Sequence, residues 1–398
     1  MKFDYAPAPE SSAIVTIEPK YDLYIDGKFV PSKGGNRFAT INPSNEKVLA
    51  EVTAATTADV DKAVKAATAA FKKWSRLTGA QRGKYLYRIA RIMQERAREF
   101  AVLETMDNGK PIRETRDIDI PLAAAHFFYH AGWADKLGYA GVGENPQPHG
   151  VVGQIIPWNF PLLMLSWKIA PALATGNTVV LKPAETTPLT ALLFAEVCEQ
   201  AGLPRGVVNI LTGDGSTGAA LVNHPGIQKI AFTGSTEVGK LIARSVVGTK
   251  KSVTLELGGK GANIIFEDAP IDETVEGIIN GIFFNQGHVC CAGSRLLVHE
   301  PVAELVLAKL RRRIAVLRVG DPMDKNTDLG AINSKAQLEK IKELAASGSA
   351  EGGEIWSPAC ELPKNGFWFA PTIFTGVTQA HRIAREEIFG PVLSVLTF

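Results

Sequence analysis

Cysteine is scarce in this 398-residue chain: only Cys198, Cys290, Cys291 and Cys360 occur, too few and too unevenly spread for the disulfide framework of a secreted protein. A reducing, cytoplasmic setting fits that usage. An excess of charge is missing too, since 43 basic residues face 41 acidic ones for a net charge of +2, which leaves no one-sign field to draw nucleic acid or an anionic membrane. Neither partner is expected. The richest apolar stretch, Ile155 to Leu181, is interrupted by Pro157, Asn159, Pro161, Lys168, Pro171 and Asn177 and cannot span a bilayer. Residues 1–20 carry Asp4, three prolines and two glutamates, so they lack the apolar centre of a signal peptide. No metal site is read.

What is present is a length and an apolar content, 45%, that suit two or three globular domains. A loose arm over 1–20 leads to Tyr21–Val30, which alternates about Asp26-Gly27 and reads as a small hairpin. Two long helical patterns follow, Asp59 to Trp74 and Gln81 to Met106, the second stopping at Asn108-Gly109-Lys110-Pro111, and a third runs from about Ile118 to Lys136. Its aromatic cluster, Phe127, Phe128, Tyr129, His130 and Trp133, reads as core. Gly138 to Gly150, rich in Gly and Pro, is a connector.

From Val151 the pattern becomes short β-branched runs between helical segments: Val151–Ile156, Thr178–Leu181, Val207–Leu211, Lys229–Phe232 and Ser252–Leu257. That alternation predicts a parallel α/β sheet with a nucleotide site at its carboxyl edge. The helix after the second run has Thr187 at its N-cap, Pro188 at N1 and Gly202 just past its end. Two glycine-rich turns compete for a phosphate. Gly213 to Gly218 matches the dinucleotide fingerprint, but the acid expected about twenty positions on, Glu237, falls inside the second turn, Phe232 to Gly239. Each turn is open to two readings, phosphate cradle or ordinary strand-to-helix punctuation.

The stretch with most chemical promise is Asn285-Gln286-Gly287-His288-Val289-Cys290-Cys291-Ala292-Gly293-Ser294-Arg295. Val275 to Phe284 before it places Ile278, Ile279, Ile282 and Phe283 at helical spacing, and Gly287 supplies a stop signal. A cysteine on such a turn is either buried packing or a nucleophile that small neighbours leave approachable.

Read together, Pro157-Trp158-Asn159-Phe160-Pro161, Leu181 to Glu185, Phe232 to Thr236, Leu255-Glu256-Leu257-Gly258-Gly259-Lys260, the cysteine loop and Glu386 to Pro391 resemble the aldehyde dehydrogenase superfamily from about Tyr24 onward. The resemblance implies a Rossmann-like parallel-sheet cofactor domain plus an α/β catalytic domain. Its segments would be 1–137 and 151–258 for the cofactor part, 138–150 as a shortened connector or oligomerisation arm, and 259–398 for the catalytic part, C-terminally incomplete because the chain stops inside the apolar run Val392–Leu396. It implies NAD as cofactor, a small-molecule aldehyde as substrate, and a homo-oligomer (dimer) or a place in a longer two-module chain. The wording Pro161–Ala170 with the short connector resembles the two-module family 16 enzymes.

The resemblance also implies roles. Cys290, followed by one variable residue and Ala-Gly-Ser, would attack the aldehyde carbon, with the oxyanion held by the Asn159 amide and the Cys290 backbone N–H. Hydride would pass to the nicotinamide. Glu256 would activate water against the thioester, its pKa raised by an apolar setting that Leu255 and Leu257 suggest. Lys182 and Glu185 would hold the adenosine ribose and disfavour a 2′-phosphate, Ser235 the pyrophosphate, Glu387 the nicotinamide ribose and Phe389 the nicotinamide face. Ile156, Pro157, Trp158, Gly215, Gly234, Gly239 and Leu257 complete the implied cofactor site. Two other readings stay open, a scaffold without turnover and a cysteine esterase that needs no dinucleotide.

Overall fold

The computed structural model describes residues 6–141, 143 and 146–398. The start of the N-terminal arm and part of the 138–150 connector lie outside the described residues.

The β-branched runs do form a sheet. Its seven strands run in the order Ser252–Leu257, Lys229–Gly234, Val151–Ile155, Thr178–Lys182, Val208–Ile210, Leu23–Tyr24, Phe29–Val30. The first five are parallel, and the strand Thr178–Lys182 is buried at every position, as a strand covered by helices on both faces must be. The expected hairpin about Asp26-Gly27 is present, but it is not a free-standing unit: Tyr24 pairs antiparallel with Ile210 and extends the large sheet. A three-stranded sheet, unforeseen, joins Lys20–Tyr21 to Val48–Thr53 and Arg37–Ile41.

The segment after Gly258 builds a separate sheet of five strands, in the order Ala262–Ile265, Arg295–Val298, Val392–Thr397, Thr372–Thr375, Glu354–Trp356. All pair in parallel except the last. The apolar run near residue 398 is thus the middle strand of this sheet. Two sheets, each parallel apart from its antiparallel edge and each carrying helices, give the expected α/β class. No helix among the described residues is long and apolar enough to cross a membrane.

Several helices start where their caps dictate. Thr56 with Asp59, and Thr78 with Gln81, form reciprocal capping boxes for Thr57–Trp74 and Gly79–Glu95. Other expectations need correction. The pattern Gln81–Met106 is two helices, because the backbone leaves the helical region at Arg96, whose guanidinium reaches Glu99 at 2.7 Å and Glu196 at 2.9 Å. The second helix, Ala97–Asn108, ends as foreseen at Gly109, in the left-handed region. Thr187 does not cap Leu189–Gln200, since a buried carboxylate from elsewhere takes that place: Asp107 accepts the Leu189 N–H at 2.9 Å and the Thr40 hydroxyl at 2.6 Å. Of the aromatic cluster only Phe127 is buried. Tyr129 is exposed and Phe128, His130 and Trp133 are half-buried, because the helix Ile120–Trp133 buries one stripe against its neighbours and the cluster wraps past it.

Candidate active site

The cysteine loop follows the helix Ile271–Phe283, which buries Val275, Ile278, Ile279, Ile282 and Phe283 as their spacing predicts. The stop comes earlier than Gly287. Phe284 leaves the helix, and Asn285, Gln286 and Gly287 then take positive φ angles of 49°, 52° and 76° in succession. Left-handed conformation costs a non-glycine residue of order 1 kcal/mol or more, so the loop must be held from outside. The holders are visible. The Asn285 N–H donates to Glu114 at 2.9 Å, and its side-chain amide donates to the Asn159 carbonyl at 2.8 Å. Gln286 donates to the Ala331 carbonyl at 3.0 Å. At Gly287 a side chain is impossible, since a Cβ would lie 2.1 Å from the Gly390 carbonyl.

Beyond these residues Val289 to Ala292 close a β-turn with a 3.0 Å hydrogen bond, so Cys290 and Cys291 occupy its exposed corner. Both thiols are free. The Cys290 sulfur lies low enough against the protein that burial, then the neighbouring Cys291 and the Glu387 carboxylate, push its pKa up, while the N–H groups of Cys290 and Cys291 pull the other way. The reactive thiolate is therefore a minor form near neutrality.

Asn159 is buried just after the strand Val151–Ile155, and its amide donates to the His288 carbonyl at 2.8 Å. That bond joins the sheet edge to the cysteine turn two residues before Cys290. His288, which the sequence reading passed over, is fully buried with both ring nitrogens unpartnered. Its ring packs edge-on to Trp158 at 4.8 Å and stacks on Phe389 at 5.8 Å. Burial drops its pKa to about 3, so it stays neutral at physiological pH. Phe389 itself has φ of +56°.

Glu387 sits across a glycine turn from the thiol. It accepts the Gly259 N–H at 3.2 Å, and a Cβ on Gly258 would fall 1.9 Å from its carboxylate. Burial raises its pKa.

The implied cofactor residues divide. Ile156, Pro157, Trp158, Lys182, Glu185, Gly215, Gly234 and Ser235 line one cleft of about 460 Å³ between the sheet edge and the helices Gly215–Asn223 and Thr236–Val246. At one end, Lys182 Nζ lies 3.4 Å from Glu185; burial lowers the lysine pKa, opposed by that carboxylate. Gly239 and Leu257 do not line the cleft: a Cβ on Gly239 would meet Leu257 at 2.4 Å, so the pair is a close packing contact beneath it. Glu387 and Phe389 lie at the thiol end instead.

The two glycine turns differ at their helix N-caps, and the second also carries Glu237 in its first turn. Asp214 caps the first helix and its carboxylate takes both the N–H and the hydroxyl of Ser216, at 2.8 and 2.6 Å, which puts a negative charge where a phosphate would go. Ser235 caps the second helix with a neutral hydroxyl. The second turn suits an anion better.

Glu256 departs from expectation. It is exposed on the edge strand Ser252–Leu257, because alternation along a strand turns Leu255 and Leu257 to the opposite face. The apolar setting read from those neighbours is absent. Glu256 lines a second groove of about 320 Å³ with Gln154, Trp167, Lys168, Thr233 and Thr254 among others. Burial lowers Lys168 to about 8, and Glu256 opposes that shift.

Comparison with known proteins places these features in company. The model of the aldehyde dehydrogenase family matches residues 29–398. A putative aldehyde dehydrogenase, DhaS, of Bacillus subtilis (strain 168) is 48% identical over 94% of this chain and 78% of its own length. Retinal dehydrogenase 2 of Homo sapiens is 46% identical over 96% of this chain and 76% of its own. Among solved structures, the NAD+ complex of an aldehyde dehydrogenase from Bacillus cereus superposes with a TM-score of 0.92 at 44% identity, covering 95% of this chain and 79% of that one.

Proposed function

Since this chain belongs to the aldehyde dehydrogenase family, we propose that it oxidises an aldehyde to a carboxylic acid with NAD, using Cys290 as nucleophile, Asn159 as oxyanion donor and Glu256 as the base that activates water. The observation that carries this reading is the 2.8 Å bond from the Asn159 amide to the carbonyl of His288. It makes the donor and the thiol turn one hydrogen-bonded unit.

The cleft suits the cofactor on chemical grounds. Lys182 and Glu185 offer a donor and an acceptor to ribose hydroxyls, and the Ser235 hydroxyl offers a donor to a pyrophosphate. Glu185 would also repel a 2′-phosphate. Glu387 would hold the nicotinamide ribose, and Phe389 with Trp158 the nicotinamide itself. When bound, NAD supplies the hydride acceptor.

Deprotonated Cys290 Sγ bonds to the aldehyde carbon and the carbonyl oxygen gains the charge. The second N–H of the Asn159 amide and the Cys290 backbone N–H meet that charge, a task worth about 10²–10³ in rate per donor. After hydride leaves, a thioester remains on Cys290. Glu256 then takes a proton from water as the oxygen attacks, the tetrahedral adduct expels Cys290 as its thiolate and releases the acid, and Glu256 returns its proton to solvent. Water is accessible to Glu256 because that carboxylate is exposed.

Replacing Cys290 with Ala is expected to lower NADH production roughly 10³-fold or more, while Cys291→Ala stays within about threefold. Steady-state assays over an aldehyde panel read this. Equal losses from both substitutions would overturn the assignment.

A further inference from the structure

Behind the thiol turn lie four charged side chains from one short stretch, Glu104, Lys110, Glu114 and Asp119. All are buried, the first, second and fourth with 0% exposure and Glu114 with 5%. None lines the cofactor cleft. Taking charges out of water costs several kcal/mol per ion unless partners repay it, so their arrangement asks for a use.

Each reaches the catalytic elements by a different route. Lys110 pairs with Asp119 and places its ammonium 3.8 Å from the centre of the Phe160 ring. Phe160 follows Asn159 in the chain and stacks on Phe284 at 6.1 Å, next to Asn285. Glu104 accepts the Leu162 N–H at 3.1 Å, in the first turn of the helix Pro161–Ala174 that follows Asn159. Glu114 accepts the Asn285 N–H at 2.9 Å, at the first of the three left-handed residues.

The cluster also balances its charge. Three acids face one lysine, and burial, more than the neighbouring charges, raises both Glu104 and Glu114, the latter to about 8. One oxygen of Glu104 and one of Asp119 lack any partner, and a proton on Glu104 directed at Asp119 satisfies both. Protonated acids keep an acceptor oxygen for the Leu162 and Asn285 N–H groups.

We propose that Glu104 and Glu114 are positioning residues: braced by the Lys110–Asp119 pair, they grip the helix behind Asn159 and the loop before Cys290, and so hold the oxyanion donor and the thiol at one separation. The inference rests on the roles given above to Asn159 and Cys290. Reach, not charge, is what this requires.

Two replacements at one site separate the two. Glu114→Gln loses the acid but keeps an acceptor at full reach, whereas Glu114→Asp keeps the acid and withdraws the acceptor by one methylene. Glu114→Gln is expected to hold kcat within about threefold of the parent. Glu114→Asp is expected to lower kcat about 10- to 100-fold, the cost of a misplacement near 1 Å, with KM for NAD and thermal stabilisation by NAD unchanged. Alkylation of Cys290 by iodoacetamide, read by mass spectrometry, needs no turnover and is expected to change at least about fivefold in rate for Asp and not for Gln. A Gln variant that loses as much as Asp, or an Asp variant that matches the parent, overturns the proposal. If the parent makes no Cys290-dependent NADH, the dehydrogenase reading fails by itself, and the alkylation contrast still decides this one. Should Glu114→Asp not fold, Glu104→Asp against Glu104→Gln poses the same contrast through Leu162 and is judged by the same outcomes.

Discussion

Acidic residues around the helix Pro161–Ala174 occupy two opposite settings. Beside its flank Glu256 stands exposed in a groove with Lys168, and beneath its N-terminus Glu104 is sealed with Lys110, Glu114 and Asp119. Asp107 belongs with the sealed group and Glu185 with the exposed one. The difference matches the division of labour proposed for these residues. A carboxylate that trades protons with water or greets a ligand needs a solvent path, while one that grips a backbone N–H works best where water cannot compete.

That division can be broken from either side. The largest effect is expected at Glu256, where replacement by Gln should cut steady-state turnover roughly 10²- to 10⁴-fold and leave Tm within about 1 °C of the parent, as for a surface change. Rapid mixing with aldehyde and NAD should then show a burst of NADH near one equivalent per site, with the acyl group found on Cys290 by mass spectrometry. Loss of the burst would move Glu256 to thiol activation. A smaller effect belongs to Glu185→Gln, which removes the repulsion of a 2′-phosphate; the NADP/NAD ratio of kcat/KM should rise about tenfold, the size of one screened charge contact. An unmoved ratio would take the carboxylate out of the ribose site.

The smallest effect is on the buried side. Asp107, raised to about 7 by burial against its bonds to Thr40 and Leu189, binds more protons folded than unfolded between its ordinary range and about pH 7. Its contribution to stability is therefore present in full at low pH and is lost as pH rises through that window. Asp107→Asn cannot titrate. Between pH 5 and pH 8 the parent Tm should fall by about 2 °C more than that of Asp107→Asn, with kcat within about twofold. Parallel Tm profiles would show that the carboxyl does not titrate there.

The exposed group was largely legible in the sequence and the sealed group was not. Motifs such as Leu181–Glu185 and the Cys290 turn are contiguous, so neighbouring residues carry their meaning. Its motif marks Glu256, but its sequence neighbours mislead about its surroundings, because the residues adjacent to it in a strand face the other way. The sealed acids have partners far along the chain: Asp107 replaces Thr187 as a cap across 82 positions, and Glu114 meets Asn285 across 171. Charged residues belong on the surface by default, and nothing local marked these as exceptions beyond their place beside the apolar Phe100, Ala101 and Leu103. The break at Arg96 was hidden for the same reason, its partner Glu196 lying on another helix. What the β-branched runs did make plain was the order of elements from Val151 to Leu257.

The antiparallel hairpin that closes the large sheet bears on how the chain is made. Tyr24 pairs with Phe29 within the hairpin but meets the large sheet only at Ile210, so during synthesis the hairpin must wait through 186 residues of further translation, roughly ten to forty seconds at usual ribosomal speed. Until then Leu23, Tyr24 and Val30, all buried in the finished fold, have no sheet to join. A nascent chain of this topology is slow to close and exposes apolar strand edges meanwhile.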